Sequence, residues 1–216
     1  MFGDKIRQVA SNVIDSYTVS LLHFDNSAIQ DETGKVWTAS NCSLTSTYSK
    51  FGGKSLYIPG GSEGYINTSN LSGLDFGTGD FTIDFWCLPG YSYSSGSVPI
   101  YNTSSNSVDV VINNGMFMMN INFNSGSNIL CWGGPSVVAY TWYHVAGVRN
   151  GNVFSLFVNG VLAQSKTQSG INISSPTTYV RFGGPAGGSF TGCLDEFRVS
   201  SIARWTAKFT PPTSPY

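Results

Sequence analysis

Most of the chain alternates apolar and polar residues in short runs, which is the pattern of β-strands with one buried face. The run FTIDFWCL, residues 81–88, is the clearest case. Its odd-numbered residues are Phe, Ile, Phe and Cys, and we expect them to share one face of a strand, with Thr82, Asp84 and Trp86 on the other. Similar runs follow one another from Tyr17 onward, so the pattern predicts a domain built from strands.

The turns between these runs favour hairpins. Asn-Gly pairs stand between apolar runs at 114–115, 150–151 and 159–160, and such pairs suit two-residue type I′ turns. Many short strands joined in this way predict an all-β fold, a two-sheet antiparallel β-sandwich or jelly roll. The final segment KFTPPTSPY, residues 208–216, is rich in proline and cannot extend a central strand. Nothing in the pattern indicates a second domain or a tandem repeat.

The first residues follow a different period. Apolar residues recur there at the spacing of one helix face, which predicts a short amphipathic helix, and Asp4 is in position to act as its N-cap. We therefore divide the chain into an N-terminal helical arm, residues 1–16, and a jelly-roll domain, residues 17–216. A helix this short is marginal alone in water, so it needs a surface on its own domain or on a partner. The predicted docking stripe consists of Phe2, Ile6, Val9 and Val13.

Composition and charge exclude two classes of partner. Charged residues make up 11% of the 216 residues, well under the roughly 25% of an average globular protein. The net charge is −1 and no block of Lys and Arg occurs, so we expect no binding to nucleic acid. No apolar run approaches the roughly 20 residues of a membrane-spanning helix, so we expect no membrane insertion. The N-terminus has no continuous apolar segment of the signal-peptide kind, so we expect synthesis in the cytoplasm without export by the ordinary route.

Several motifs resemble catalytic or metal-binding signatures but lack the context that those signatures need. GGSEG at 60–64 satisfies Gly-x-Ser-x-Gly, but a strand rather than a helix follows it. FGGKS at 51–55 resembles the end of a P-loop, but the P-loop motif requires a glycine five residues before Gly53, and that residue is Tyr48. The two histidines, His23 and His144, stand singly in apolar strands, where structural roles are expected. The four cysteines form no Cys-x-x-Cys pair, so we expect no zinc site, and without a secretion signal we expect reduced thiols.

Carboxylates leave two interpretations open. Asp195 and Glu196 are adjacent in the apolar run CLDEFRVS and should point to opposite faces of a strand, so they cannot form a catalytic pair. A glycosidase needs two carboxylates about 5 to 9.5 Å apart; Asp80 and Asp84 are near one another in one predicted strand, but only Asp84 lies well inside it. Asp25 and Asp195, from the first and last strands, could instead supply oxygen ligands to calcium. The alternative is that Asp25 caps a turn, and that Asp195 or Glu196 faces solvent or pairs with Arg198.

Aromatic residues in loop-like stretches are the candidates for ligand contact. Exposed rings can stack on the faces of sugars, and binding pockets use such amphipathic side chains. The same rings could equally pack over the ends of the sheets. The glycan-binding candidates are Tyr91, Tyr93, Trp132 and Tyr140.

Five segments carry a recognisable pattern: SLLHFD at 20–25, FGGKSLYI at 51–58, LDFGTGDFTIDFWCLPG at 74–90, WYHVAGVRNGNVFSLFVNGVL at 142–162, and CLDEFRVSSIARW at 193–205 with FTPP at 209–212. Together they resemble the laminin-G-like jelly roll of the concanavalin A-like lectin and glucanase superfamily. The resemblance covers nearly all of residues 17–216, and it is specific as a set although each piece alone is weak.

The resemblance implies two curved antiparallel sheets of about six or seven strands each. It also implies a structural calcium near the first and last strands, where Asp25 and Asp195 match, so calcium is the candidate cofactor. The family's Asp-Glu pair and its closing Arg-aromatic segment correspond here to Asp195, Glu196, Arg204 and Trp205. The sequence has no Glu-x-Asp-x-x-Glu strand of the glucanase kind, so we expect no hydrolytic activity.

Compact single-domain chains of this kind look like those of bacteriophage virion proteins, where they decorate capsids or form fibre tips. The resemblance therefore implies a non-enzymatic virion surface protein with a lectin-like domain that meets a host cell-surface glycan. Its other partners would be virion proteins or further copies of itself, bound through the N-terminal arm. The alternatives are a carbohydrate-binding adhesin module without an assembly role and, less favoured, a polysaccharide-active enzyme.

Overall fold

The computed structural model describes residues 14–105, 107–123, 127–184 and 190–216. The predicted docking stripe of Phe2, Ile6, Val9 and Val13 lies outside these residues. Ile14, Asp15 and Ser16, the described end of the predicted helical arm, are not helical. Throughout the described ranges the chain forms strands and turns without a helix, and so contains no helix that could span a membrane.

Two antiparallel sheets form a sandwich, as the alternating pattern predicts. The large sheet has eight strands, in the order β13-β12-β11-β6-β15-β4-β3, with β1 paired to the end of β15. Its strands are β1 (Thr18–Leu22), β3 (Ser43–Thr45), β4 (Ser55–Pro59), β6 (Phe81–Pro89), β11 (Tyr143–Asn150), β12 (Val153–Val158), β13 (Val161–Thr167) and β15 (Thr191–Ser200).

The small sheet has seven strands, in the order β10-β9-β8-β7-β14-β5-β2. Consecutive strands from β7 to β10 form a meander, whereas β14 joins β7 to β5 across a long stretch of sequence. Its strands are β2 (Thr38–Ser40), β5 (Tyr65–Thr68), β7 (Ser97–Thr103), β8 (Val108–Asn113), β9 (Met116–Phe123), β10 (Ser127–Gly133) and β14 (Val180–Gly183).

Two of the three predicted Asn-Gly turns have the conformation expected of type I′. Both residues have positive φ in the pairs at 114–115 and 159–160, which close the hairpins β8–β9 and β12–β13. The pair at 150–151 differs, because Asn150 ends β11 and the turn is formed by residues 151 and 152. The hairpin is still present, but its turn lies one residue further along.

Strand β6 lies at the centre of the large sheet and divides its side chains between two environments. Phe81, Ile83, Phe85 and Cys87 belong to the core between the sheets, as the alternation predicts. The opposite face of the large sheet, which we call the outer face, is also covered. There the segment after β15 packs Trp205 and Phe209 against a small apolar cluster, so all nine residues of β6 are buried. This cluster consists of Ala146, Val148 and Phe157.

A β-bulge interrupts the pairing of β15 with β6. Asp195 lies opposite Trp86 and Arg198 lies opposite Asp84, so β15 contains one extra residue at this point. The extra residue is accommodated at Glu196, whose φ is 49°, a positive value that is uncommon for residues other than glycine. The expectation that Asp195 and Glu196 point to opposite faces is therefore wrong. Both carboxylates serve contacts on the outer side of the sheet, because the bulge breaks the two-residue period.

Candidate functional site: a tyrosine-lined pocket

A small pocket of about 130 Å³ opens on the outer face of the large sheet. Its floor comes from the end of β6 and the start of β15, two paired strands in the middle of the sheet. Four tyrosines surround it, each from a different part of the chain. The lining residues are Tyr48, Tyr57, Leu88, Gly90, Tyr91, Tyr140, Thr191, Gly192 and Cys193.

The four tyrosine rings are partly or largely exposed. Tyr91 and Tyr140 expose 61% and 66% of their surface, and Tyr48 and Tyr57 expose 44% and 38%. The rings of Tyr48 and Tyr140 lie 6.1 Å apart between centroids, with an angle of 34° between their planes. Four large amphipathic side chains thus form the rim of one concavity, each with an apolar ring and a hydroxyl group available to a ligand.

Local backbone contacts place two of these tyrosines. Tyr140 adopts a positive φ of 58°, and its N–H donates to the carbonyl of Pro89 over 2.8 Å, which ties the loop before β11 to the end of β6. Tyr57 is the outward-pointing residue of β4, because Leu56 and Ile58 on either side of it are buried in the core. The alternation in KSLYI could therefore have predicted Tyr57 at the surface.

The structure separates the four predicted glycan-binding residues. Tyr91 and Tyr140 meet at the pocket, but Tyr93 lies behind it, where its hydroxyl accepts from the Thr191 N–H at 2.7 Å and donates to the Thr191 carbonyl at 2.9 Å. Burial raises the pKa of Tyr93, in keeping with a structural role. Trp132 is 43% exposed but belongs to β10, at the edge of the small sheet, and does not line the pocket.

Two aspartates hold the loop that follows Tyr48. One carboxylate oxygen of Asp195 accepts the backbone N–H groups of Lys50 and Phe51, at 2.7 and 3.2 Å. The carboxylate of Asp25 accepts the N–H of Lys54 at 3.1 Å and lies directly against Gly52, where any side chain would overlap it. These contacts fix the loop that carries Tyr48 to the rim of the pocket.

The same contacts bear on the predicted calcium site. Asp25 and Asp195 do approach the same loop, as the resemblance implies, but N–H donors occupy the oxygens that face it. Backbone N–H groups repel a cation, whereas calcium requires six to eight oxygen ligands. In the described part of the chain, no group of three or more His, Cys, Asp or Glu residues is arranged to hold a metal ion. This donor set does not fit calcium as it stands, and calcium binding remains a prediction.

A buried ionic network lies beside this loop, under the carboxyl-terminal segment. Arg198 donates from Nε and Nη2 to the two carboxylate oxygens of Asp84, at 3.2 and 3.1 Å. Tyr216 donates its hydroxyl to Asp84 and lies 3.0 Å from Nε2 of His144. Glu196 accepts the backbone N–H of Tyr216 at 3.0 Å. The network fastens the end of the chain to the outer face of the sheet.

Both histidines make structural contacts in this region, as predicted. His144 is fully buried among the rings of Trp86, Trp205 and Phe209. His23 is half-buried, with Nδ1 2.8 Å from the Glu196 carboxylate. This hydrogen bond raises the pKa of His23 above its usual value.

A sequence model of a known family matches residues 60–207, which is more than half of the chain. That model describes the concanavalin A-like lectin/glucanases superfamily and is of the laminin G type. The chain belongs to this superfamily. The matched region contains the whole floor of the tyrosine pocket and two of its four tyrosines, Tyr91 and Tyr140. The sequence itself has no match among curated proteins.

Solved structures with the same fold include binding domains of clostridial toxins. The binding domain of Paraclostridial Mosquitocidal Protein 1 superposes with a TM-score of 0.75 at 16% identity, over 87% of this chain and 49% of that one. The receptor binding domain of botulinum neurotoxin type G gives 0.68 at 13% identity, over 87% and 48%. The botulinum neurotoxin DC binding domain, solved in complex with SialylT, gives 0.71 at 12% identity, over 87% and 48%. This chain spans about half the length of these domains, and the likeness shows the fold alone.

The candidate catalytic carboxylate of the sequence, Asp84, lies in the buried ionic network. A polysaccharide-active enzyme that used Asp84 would need it as one of two carboxylates facing a substrate. Asp84 is fully buried, and its oxygens are occupied by Arg198 and Tyr216. A substrate could reach it only if the carboxyl-terminal segment moved away. The described residues around Asp84 therefore form a structural network.

Proposed function

We propose that the protein is a non-enzymatic, lectin-like binding protein whose tyrosine pocket holds a sugar ring of a cell-surface glycan. The observation that carries the proposal is the arrangement of four exposed tyrosines around one concavity. Isolated exposed aromatic residues are ordinary on protein surfaces, but a cluster around a pocket marks an interaction site.

The dimensions of the pocket suit the end of a glycan. Pockets for drug-sized ligands are roughly 300–1,000 Å³, so a volume of about 130 Å³ fits one ring and leaves the rest of the ligand outside. A pyranose has an apolar face of C–H groups and a rim of hydroxyls. Tyrosine matches both features, because its ring packs against the C–H face and its hydroxyl exchanges hydrogen bonds with the sugar.

The proposal places this domain on a virion surface, as a capsid decoration or a tail or fibre component. It is supported by the resemblance and by the apolar stripe of residues 1–13, which needs a surface to cover it. The root of the arm is fastened to the domain, since Asp15 accepts from Arg204 at 2.9 and 3.0 Å. An arm held at its root can present residues 1–13 to another virion protein or to a second copy. The alternative is an adhesin module that binds glycans without an assembly role.

Replacing both Tyr91 and Tyr140 by alanine should weaken glycan binding roughly 5- to 150-fold, because each ring contact contributes about 0.5–1.5 kcal/mol. Both rings are largely exposed, so their removal should leave the free energy of unfolding nearly unchanged. The measurement is a glycan array with the wild-type protein, followed by titration calorimetry of the strongest ligands against both proteins.

Two exposed aromatic residues away from the pocket provide matched controls. Tyr17 is 50% exposed and precedes β1, and Trp132 lies on β10. Tyr17→Ala and Trp132→Ala should bind the same glycans as the wild-type protein. Binding that is insensitive to the double substitution but lost in Trp132→Ala would place the site at the edge of the small sheet. Absence of binding across the array would refute the glycan proposal.

Deleting residues 1–13 should abolish incorporation of the protein into virions while leaving the domain folded. The deletion stops before Asp15, so the contacts of Asp15 with Arg204 and Thr18 are kept. Incorporation is measured by co-sedimentation of tagged protein with purified particles, and folding by thermal denaturation. A second variant, Val9→Ala/Val13→Ala, removes two of the four stripe residues without removing the arm, and should also reduce incorporation. If the truncated protein is incorporated normally, the arm is not the docking element.

A further inference from the structure

We propose that the tyrosine pocket selects an uncharged pyranose and discriminates against sialic acid, uronic acids and sulfated sugars. This inference rests on the proposed function, since it specifies the class of ligand for the same pocket. It follows from the chemistry of the lining residues and from the positions of the nearest charged groups.

The described lining of the pocket contains no charged side chain. The side chains that can exchange hydrogen bonds with a ligand are the tyrosine hydroxyls, the Thr191 hydroxyl and the Cys193 thiol. These groups suit sugar hydroxyls, which both donate and accept. An acidic ring would instead lose water from its carboxylate or sulfate without gaining a cation, and an unpaired charge is costly to desolvate. Sites for such groups generally provide Arg or Lys.

The cation that is nearest along the chain is held elsewhere. Lys50 follows Tyr48 by two residues, but its Nζ lies 3.9 Å from the centroid of the Trp86 ring. Its backbone N–H is bound by Asp195, so neither the side chain nor the backbone of Lys50 is directed at the pocket. Arg198, another cation of this face, is paired with Asp84. Neither cation lines the pocket or is free to meet an anionic ligand there.

A carboxylate lies close to the floor of the pocket. Asp195 follows Cys193 by two residues in β15 and lies on the same face of the strand, because Cys193 pairs with Leu88 and Asp195 with Trp86. Leu88 and Cys193 both belong to the pocket floor. Above a pH of about 7, where Asp195 is ionised, its carboxylate would repel an acidic ring bound in the pocket, so the titrations that follow are made at pH 8. The absence of a cation from the lining and the proximity of a carboxylate both disfavour the binding of an acidic sugar.

The test compares neutral sugars with acidic counterparts. Full-length protein is titrated with lactose against 3′-sialyllactose, glucose against glucuronic acid, and N-acetylglucosamine against its 6-sulfate, with binding followed by calorimetry. The neutral member of any pair that binds should bind at least roughly tenfold more tightly than its acidic counterpart, which reflects the desolvation of an unpaired charge. A Tyr57→Arg variant should narrow this difference, because it adds a guanidinium at the rim, whereas Tyr57→Phe should not.

The outcomes separate this inference from the proposed function. Tighter binding of the acidic members, abolished in the Tyr91→Ala/Tyr140→Ala variant, would overturn the neutral preference and leave the glycan site in place. Equal binding of both members would also overturn it. If no sugar binds, or if binding persists in the double variant, the proposed function itself fails.

Discussion

An Arg198→Ala variant should have a free energy of unfolding about 3–5 kcal/mol lower than the wild-type protein near neutral pH, the usual cost of leaving a buried charge unpaired. Asp84 is fully buried, and Arg198 donates to both of its oxygens. Burial works to raise the pKa of Asp84, but Arg198 and His144 outweigh it and hold the pKa below its usual value. Without the guanidinium, burial is the main influence that remains on the carboxylate.

Urea denaturation followed by tryptophan fluorescence measures this loss. In the wild-type protein the lowered pKa means that Asp84 stabilises the fold above its unfolded pKa of 3.8, and this contribution is lost as the pH falls. In the variant the pKa of Asp84 should be raised, so its destabilisation should shrink as the pH falls and the carboxyl takes up a proton. Lys54→Ala, which removes one contact to the carbonyl of Asn26, should change stability by less than about 0.5 kcal/mol. A loss under about 1 kcal/mol for Arg198→Ala would show that the pair is not needed.

The strands could be predicted because their signals are local. Alternation in residues 81–88 reports which side chains face the core, and Asn-Gly pairs report where the chain reverses. The alternation in KSLYI, residues 54–58, likewise indicates that Tyr57 points outward. Tyr91 and Tyr140 were identifiable as aromatic residues in loops, and the structure shows that they meet.

The remainder of the site depends on contacts that no local pattern reveals. The loop that follows Tyr48 is held by Asp195, which is far along the chain, and by Asp25. The bulge at Glu196 turns its carboxylate to the same face as Asp195, against the expected alternation. The sequence carries no signal for this bulge, because the residue with positive φ is not a glycine. The burial of Asp84 likewise depends on a carboxyl-terminal segment whose prolines indicate only that it is not a central strand.

The stability of the wild-type protein should fall as the pH rises from about 5 to about 8, and Asp195 should account for much of the fall. Burial raises the pKa of Asp195 to about 7, against which the N–H groups of Lys50 and Phe51 act only in part. Because the folded pKa lies above the unfolded value of 3.8, the contribution of Asp195 is fully present below about pH 4 and is lost as the pH rises through 7. A shift of this size corresponds to roughly 4 kcal/mol at most. His23, whose pKa is raised by its hydrogen bond to Glu196, acts in the same direction, and so does Asp109, whose pKa burial raises to about 6.

An Asp195→Asn variant isolates the contribution of Asp195 to the pH dependence of stability. Its free energy of unfolding should change between about pH 5 and pH 8 by at least about 2 kcal/mol less than that of the wild-type protein, because the titrating carboxyl is gone. The slope is compared rather than the absolute stability, since the amide also replaces one acceptor of the loop N–H groups. His23→Gln should remove only the share of the slope due to the His23–Glu196 pair. If the free energy of unfolding depends on pH as strongly in Asp195→Asn as in the wild-type protein, but less strongly in His23→Gln, the pH dependence belongs to the His23–Glu196 pair. The Asp195 carboxylate that holds the loop after Tyr48 would then not titrate in this range.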